Sequence, residues 1–225
     1  MRRSIGGAVI TVLCLLWPGP ALAFAPTQAT VSLAVSVGWN GSYRAGGSWS
    51  PVRVTAHNSS DGTVDGTLEI PDRSISAAVG LQQPAIARYR APIVLAPNST
   101  KTVSLYIPGA DIQGEVDVSL TVGGAVIAVQ REFPSPFQDR DVTVGAFTAD
   151  PTSVSWVNET HIPHARIRLF DLSSNTFDPY PAVLSSLDVI LISDVDASTL
   201  DADQTAALTQ YVEQGGALLL VGGPA

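Results

Sequence analysis

The stretch LDVILISDVDASTLDADQTAALTQYVEQGGALLLVGGPA, residues 187–225, decides the fold of the second half of the chain. Residues 187–193 form a run that is almost wholly apolar, which predicts a strand covered on both faces, as in a parallel sheet. Residues 217–221 predict a second strand of the same kind. A helix-like segment separates them, so the order strand, helix, strand predicts a parallel α/β sheet with right-handed crossovers.

The helix in this stretch carries signals at both ends. Asp201 is a preferred N-cap, and Gln204 three residues later completes a capping box. Gly215 supplies a left-handed stop. One helical face is apolar and consists of Ala207, Leu208, Tyr211 and Val212.

The residues upstream extend the same alternating pattern back to residue 141. Residues 142–147 and 165–170 predict two further buried strands. Residues 151–158 and 179–186 predict short helical connections. Residues 141–225 are therefore expected to form a partial α/β domain with three layers and a flavodoxin-like parallel sheet.

This half resembles the class I glutamine amidotransferase-like fold in its exported form. The matching residues, in order, are Leu200, Gln204, Ala207, Leu208, Tyr211, Val212, Gly215 and Gly216. The resemblance implies a truncated member of a class of bacterial cell-envelope proteins. Those proteins combine an immunoglobulin-like domain, this α/β domain and, in longer forms, a C-terminal transmembrane helix.

The resemblance does not extend to catalysis. True amidotransferases use a cysteine on a strand-to-helix elbow, whereas Cys14 is the only cysteine here and lies in the N-terminal apolar run. Gly222 and Gly223 resemble part of an oxyanion-hole loop, but glycines after a buried strand also make an ordinary tight turn. No G-x-S-x-G motif offers a serine instead. The enzyme alternative places the catalytic residues beyond Ala225.

The first half contains only strand-like segments. Residues 29–132 alternate apolar and polar positions between turn signals such as Gly123-Gly124. About seven short strands in about a hundred residues predict an immunoglobulin-like β-sandwich without a disulfide. Trp39 and Trp49 are expected to fill or rim its core. Residues 133–140, FPSPFQDR, are polar and rich in proline, and they predict a linker between the two domains.

The N-terminus has the pattern of a signal peptide. Arg2 and Arg3 precede a short apolar run, and Ala21-Leu22-Ala23 forms an A-x-A site. Residues 1–23 are therefore expected to be removed by cleavage between Ala23 and Phe24. An uncleaved N-terminal anchor is the alternative.

The net charge of the chain limits the classes of molecule that it is expected to bind. It has 12 basic and 20 acidic residues, a net charge of −8. Loss of Arg2 and Arg3 leaves 10 basic residues and a net charge of −10. This balance argues against nucleic acid and anionic membrane surfaces as partners.

Candidate ligand-binding residues follow the predicted strands at the ligand-facing edge of the sheet: Asp150, Asp171, Asp194, Asp196, Gly222 and Gly223. The four aspartates are consistent with a Mg²⁺ or Ca²⁺ site, but capping and loop solvation explain them equally. His161 and His164 are spaced as H-x-x-H around Pro163, which fits surface loop residues better than a metal pair. No cofactor is expected.

These observations predict an exported, extracytoplasmic, non-catalytic cell-envelope protein. It is expected to act as an interaction or ligand-sensing module with an envelope protein as partner. Membrane association through a C-terminal helix is expected only in a longer form.

Overall fold

The computed structural model describes residues 30–71 and 87–222. It is mostly β, with several sheets and few helices. The expected cleavage site at Ala23 and Phe24, and the candidate Gly223, lie outside the described residues.

The first half is antiparallel. Its strands are β1 Val31–Val37, β2 Ser42–Tyr43, β3 Trp49–Asn58, β4 Val64–Pro71, β5 Ala87–Leu95, β6 Ser99–Pro108, β7 Val116–Val122 and β8 Ala125–Glu132. One sheet has the order β1-β3-β6 and the other the order β5-β4-β7-β8. Gly123 and Gly124 both have positive φ in the β7–β8 turn, so the predicted hairpin is confirmed.

The two antiparallel sheets share one hydrophobic core. Alternation along β3 directs Val52, Val54 and Ala56 inward, where they meet Leu68 and Leu120 of the other sheet. Burial of each such Val or Leu side chain contributes about 1.5–3 kcal/mol. The opposite face of the three-stranded sheet carries Ser, Thr and Arg side chains.

The second half contains a four-stranded parallel sheet. Its elements are β9 Ser135–Pro136, β10 Asp141–Thr148, a 3₁₀ turn Pro151–Val154, α1 Trp156–Glu159, β11 Arg166–Leu172, α2 Pro181–Leu184, β12 Val189–Ser193, a 3₁₀ turn Ala197–Thr199, α3 Ala202–Glu213 and β13 Ala217–Val221. The sheet has the order β11-β10-β12-β13. The helix predicted over residues 151–158 is divided between the 3₁₀ turn and α1.

Both ends of α3 follow from its sequence. The Asp201 carboxylate accepts from the Gln204 N–H at 2.8 Å, and Gln204 Oε1 accepts from the Asp201 N–H at 3.0 Å, so the capping box is confirmed. Gly215, at φ +96°, ends the helix. Gly216 is required for packing, because a Cβ there would overlap the Tyr211 ring.

Apolar clusters cover both faces of the parallel sheet. On one face, Phe170 and Ile190 pack with α2 and with Tyr211 of α3. On the other, Val144 and Leu191 pack with Val154 and Val157, which belong to the 3₁₀ turn and to α1.

The sequence predicts that β13 is covered on both faces like β12, but most of the strand is exposed. Leu219 is 43% exposed and Leu220 67% exposed, whereas Ile190 and Leu191 of β12 are fully buried. Within the described residues, β13 pairs only with β12. No helix in residues 30–71 or 87–222 combines the length and apolarity needed to cross a bilayer.

Candidate functional site

Trp39, expected to fill or rim the sandwich core, lies instead at the junction between the two halves. Its ring packs with Phe170, Leu184 and other residues of the parallel-sheet half, and it is 4% exposed. The indole N–H donates to Ser186 Oγ at 2.8 Å. Gly38, at φ +63°, turns the chain directly after β1, so Trp39 does not continue the alternation of that strand.

Arg44 forms a second polar contact across the junction. Its Nε donates to the Ser186 carbonyl at 2.9 Å, and its Nη2 donates to Thr143 Oγ1 at 2.8 Å and to Asp188 Oδ2 at 2.6 Å. Asp188 also accepts from the Thr143 N–H at 2.8 Å. One guanidinium thus fixes β2 against the start of β10 and the segment before β12.

Arg53 forms a third contact, from the polar face of β3. Its Nη2 donates to the Thr176 carbonyl at 2.8 Å and lies 3.8 Å from Asp178 Oδ2. Its guanidinium carbon lies 5.4 Å from the centroid of the Trp39 ring, a cation–π distance. Burial lowers the pKa of Arg53, and the nearby Asp178 carboxylate opposes that shift.

Asp178 is a buried carboxylate whose neighbours only partly offset the cost of burying its charge. Burial raises its pKa, although the Tyr180 N–H, Arg53 and Tyr106 all act to lower it. Burial, reinforced by Asp178, also raises the pKa of the Tyr106 hydroxyl. The Tyr106 and Tyr180 rings meet edge to face at 4.7 Å, so the same contacts join β6 to the segment before α2.

The segment 133–140, predicted to be a linker, is packed against the first half. β9 pairs in parallel with β2, and the Phe137 N–H donates to the Tyr43 carbonyl at 2.7 Å. The Phe137 ring is buried and lies 5.5 Å from the Phe170 ring.

A groove of about 730 Å³ opens beside this junction. Its floor is the polar face of the three-stranded sheet, where Thr55 and Thr102 are hydrogen-bonded at 3.0 Å. Its wall is formed by the end of β11 and the following loop. The polar residues that line it are Ser36, Asn40, Arg53, Thr55, Thr102, Ser104, Asp171, Asn175 and Thr176.

The loop in the wall of the groove is fixed from behind by Gln204. The Gln204 amide donates to the Ser174 carbonyl at 2.6 Å and to the Phe177 carbonyl at 2.9 Å. The N-terminus of α3 therefore sets the position of residues 173–177.

Two of the predicted aspartates are engaged by residues of their own turns. Asp150 accepts from the Thr152 N–H and hydroxyl, and Asp196 accepts from the Ser198 N–H. Both carboxyls are exposed. The Thr152 hydroxyl and N–H lower the pKa of Asp150, and the Ser198 hydroxyl and N–H lower the pKa of Asp196. Asp194 occupies a left-handed turn at φ +49°. Among residues 30–71 and 87–222, no three His, Cys, Asp or Glu side chains are grouped closely enough to hold a metal.

The remaining candidates among the described residues are Asp171, Gly222, His161 and His164. Asp171 lies inside β11 rather than after it, because pairing continues to Leu172 opposite Phe147, and it lines the groove. That corrects its expected place. Gly222 is exposed after β13. His161 and His164 line a different pocket, together with Arg140 and Arg166.

Sequence reasoning missed the junction residues. Arg44, Arg53, Asp178, Ser186 and Asp188 carry no local motif. Their roles arise from contacts between residues that are more than a hundred positions apart.

A family match is found for the antiparallel half of the chain. Residues 30–134 match a family described as "Domain of unknown function (DUF8726)". No curated protein matches the chain.

Several solved β-glucosidases share limited likeness with the chain. The enzyme from Kluyveromyces marxianus is 16% identical over 48% of this chain and 14% of that chain, with a TM-score of 0.30. The enzyme from Listeria innocua is 15% identical over 48% and 16%, with a TM-score of 0.33. The Bifidobacterium adolescentis GH3 enzyme is 15% identical over 50% and 19%, with a TM-score of 0.31. The chain thus spans less than a fifth of each enzyme, and TM-scores this low support no inference about its activity.

Proposed function

We propose that this chain is an exported, non-catalytic cell-envelope protein. In this proposal an immunoglobulin-like sandwich and an α/β domain resembling the class I glutamine amidotransferases act as one interaction or ligand-sensing module. The observation that carries the proposal is the groove of about 730 Å³, because both halves line it and one buried and one partly buried hydrogen bond join them beside it.

The lining of the groove suits a neutral polar ligand. Ser36, Thr55, Thr102 and Asn175 offer hydroxyl and amide groups, each able to donate and accept. Trp39 is buried and its ring faces Arg53, so it offers little surface for stacking. Recognition would therefore rest on hydrogen bonds across the sheet face, supplemented by the exposed Asp171.

The groove is connected to α3 through the loop at residues 173–177, so ligand binding in the groove would affect the helix. A ligand that contacts both Thr102 and Asn175 spans the sheet and the loop at residues 173–177. That loop is bonded to Gln204 at the start of α3. Binding would therefore restrict the loop and α3 relative to the sandwich.

The non-catalytic part of the proposal is supported by the hydrogen bonds that already engage two of the candidate aspartates. Asp150 and Asp196 are hydrogen-bonded to neighbouring turn residues. Acyl transfer also requires a nucleophile with a nearby base, and the sole cysteine, Cys14, lies in the predicted signal peptide.

A titration followed by ¹H–¹⁵N NMR tests the ligand-sensing part. Glucose, N-acetylglucosamine and trialanine serve as probes of hydroxyl and amide recognition. At least one is expected to shift the Trp39 indole resonance and the amides of residues 173–177. Thr55→Val together with Thr102→Val should abolish those shifts, whereas Thr121→Val on the other sheet should not. Absence of groove shifts with every probe would contradict ligand sensing, and glutamine hydrolysis by the protein would favour the enzyme alternative.

A further inference from the structure

A second pocket, of about 400 Å³, lies at the opposite end of β10 and β11 from the groove. Its polar lining consists of Gln138, Arg140, Asp141, His161, His164 and Arg166. These residues precede or begin the two strands, so the pocket is at the amino edge of the sheet.

The backbone brings the two arginines to the same edge of the sheet, and both line this pocket. Asp141 pairs with Arg166 across the sheet, and the Arg166 N–H donates to the Arg140 carbonyl at 3.0 Å. The histidines lie in the turn that leads into β11. His164 has φ +63°, in the left-handed region that residues with a Cβ rarely adopt. The Ala165 N–H closes the turn by donating to the Ile162 carbonyl at 3.1 Å.

These arginines differ from the others whose side chains are described. Arg44, Arg53, Arg90, Arg131 and Arg168 each form a salt bridge with a carboxylate. Neither Arg140 nor Arg166 has a side-chain hydrogen bond or ion pair within residues 30–71 and 87–222. Both arginines are exposed, so a ligand in solution can reach them.

The carboxylate in the lining is already engaged. Asp141 Oδ2 accepts from Arg168 Nε at 3.2 Å and from the Gln138 N–H at 3.0 Å, and its side chain is 3% exposed. It therefore leaves the charge of Arg140 and Arg166 available to a ligand.

We propose that this pocket binds an oxyanion of the phosphate type, either inorganic phosphate or a phosphate ester. The planar guanidinium matches two phosphate oxygens at once, and two such groups together with histidine N–H donors suit a tetrahedral anion. The same two guanidinium groups repel a metal cation, so His161 and His164 act as anion donors. This inference is independent of the groove and of its proposed ligand.

Titration of the purified protein with inorganic phosphate, at constant ionic strength and followed by ¹H–¹⁵N NMR, tests the proposal. The expected shifts lie in residues 138–141 and 161–168. Arg140→Gln combined with Arg166→Gln should raise the Kd by about tenfold or more, as charge-assisted hydrogen bonds are lost. Lys101→Gln removes an exposed charge on β6 and serves as the matched control, with an unchanged Kd. Circular dichroism melting establishes that each variant is folded.

Vesicle sedimentation separates the two sources of the phosphate group. Vesicles of phosphatidylglycerol in phosphatidylcholine that bind the wild type but not the double variant would assign the site to a lipid headgroup. Phosphate binding without vesicle binding would assign it to a soluble ligand.

Three results would overturn the proposal. The first is the absence of phosphate shifts at residues 138–141 and 161–168. The second is equal weakening in Lys101→Gln and in the double arginine variant. The third is a combination of two observations. The protein binds Zn²⁺ and His161→Asn abolishes that binding, while the double arginine variant leaves the Kd for phosphate unchanged.

Discussion

The indole N–H of Trp39 donates to Ser186 Oγ across a separation of 147 residues, at 2.8 Å and in a buried setting. Ser186 in turn donates to the Val183 carbonyl at 2.7 Å, at the end of α2. A residue of the antiparallel half is thereby bonded to a helix of the parallel-sheet half.

Trp39→Phe is expected to lower the free energy of unfolding by about 1–2 kcal/mol, because it removes one buried hydrogen bond while keeping most of the ring packing. Urea unfolding followed by circular dichroism measures the change. Trp49→Phe is the matched control, because Trp49 is 38% exposed, and it should change stability by less than about 0.5 kcal/mol. Equal effects at both positions would contradict the role assigned to Trp39.

Asp178→Asn is expected to change how stability depends on pH. Burial raises the folded-state pKa of Asp178 above its ordinary 3.8, so the folded state binds this proton more tightly than the unfolded state. Its contribution to the free energy of unfolding therefore falls as the pH rises from 3.8 to the raised folded pKa, and is constant above that. The free energy of unfolding of the variant minus that of the wild type should therefore rise with pH across this window.

Asp150→Asn provides the contrast for that experiment. The Thr152 hydroxyl and N–H lower the pKa of Asp150, so its contribution to stability is lost as the pH falls. Its difference curve should therefore have the opposite slope. The same slope for both variants would show that Asp178 is not governed by burial.

Arg44 and Asp188 are expected to be energetically coupled. Their contact of 2.6 Å is part of a network with Thr143, but the side chains are 29% and 40% exposed, so solvent weakens the charge interaction. A double-mutant cycle with Arg44→Gln and Asp188→Asn should give a coupling of about 0.5–1 kcal/mol. Arg131 and Glu115, 3.5 Å apart on the sandwich, provide a comparison away from the junction. A coupling near zero for Arg44 and Asp188 would mean that the network adds nothing to the junction.

Gln204→Ala is expected to destabilise the protein by about 1–3 kcal/mol, because it leaves the buried carbonyl of Phe177 without that donor and removes half of the capping box. Thermal unfolding measures the loss. Thr205→Ala, one residue along α3 and exposed, should have a much smaller effect. Amide exchange should also quicken at residues 173–177 in the Gln204 variant alone, since the loop loses its support.

Export remains a prediction from the sequence. N-terminal sequencing of the exported protein should give Phe24 as the first residue, because Ala21-Leu22-Ala23 fits a cleavage site. A product that retains residues 1–23 would favour the anchor alternative.

The sequence by itself determined the local structure. The capping box of Asp201 and Gln204, the stop at Gly215 and the Gly123-Gly124 hairpin were all predictable, because each depends on residues within a few positions of one another. The apolar run of β12 predicted its burial, but the equally apolar run of β13 is largely exposed, so burial on both faces depends on what packs against the strand.

Only the tertiary structure decided how the two halves meet. Trp39 was expected to fill or rim the sandwich core, yet it belongs to the buried cluster that contains Phe170 and residues of α2. Arg53 and Asp178 have no motif, and neither do Arg140 and Arg166. Each of these pairs is brought together by strand pairing or by a contact between distant segments. Such contacts depend on how whole sheets pack, and no short-range pattern encodes that packing.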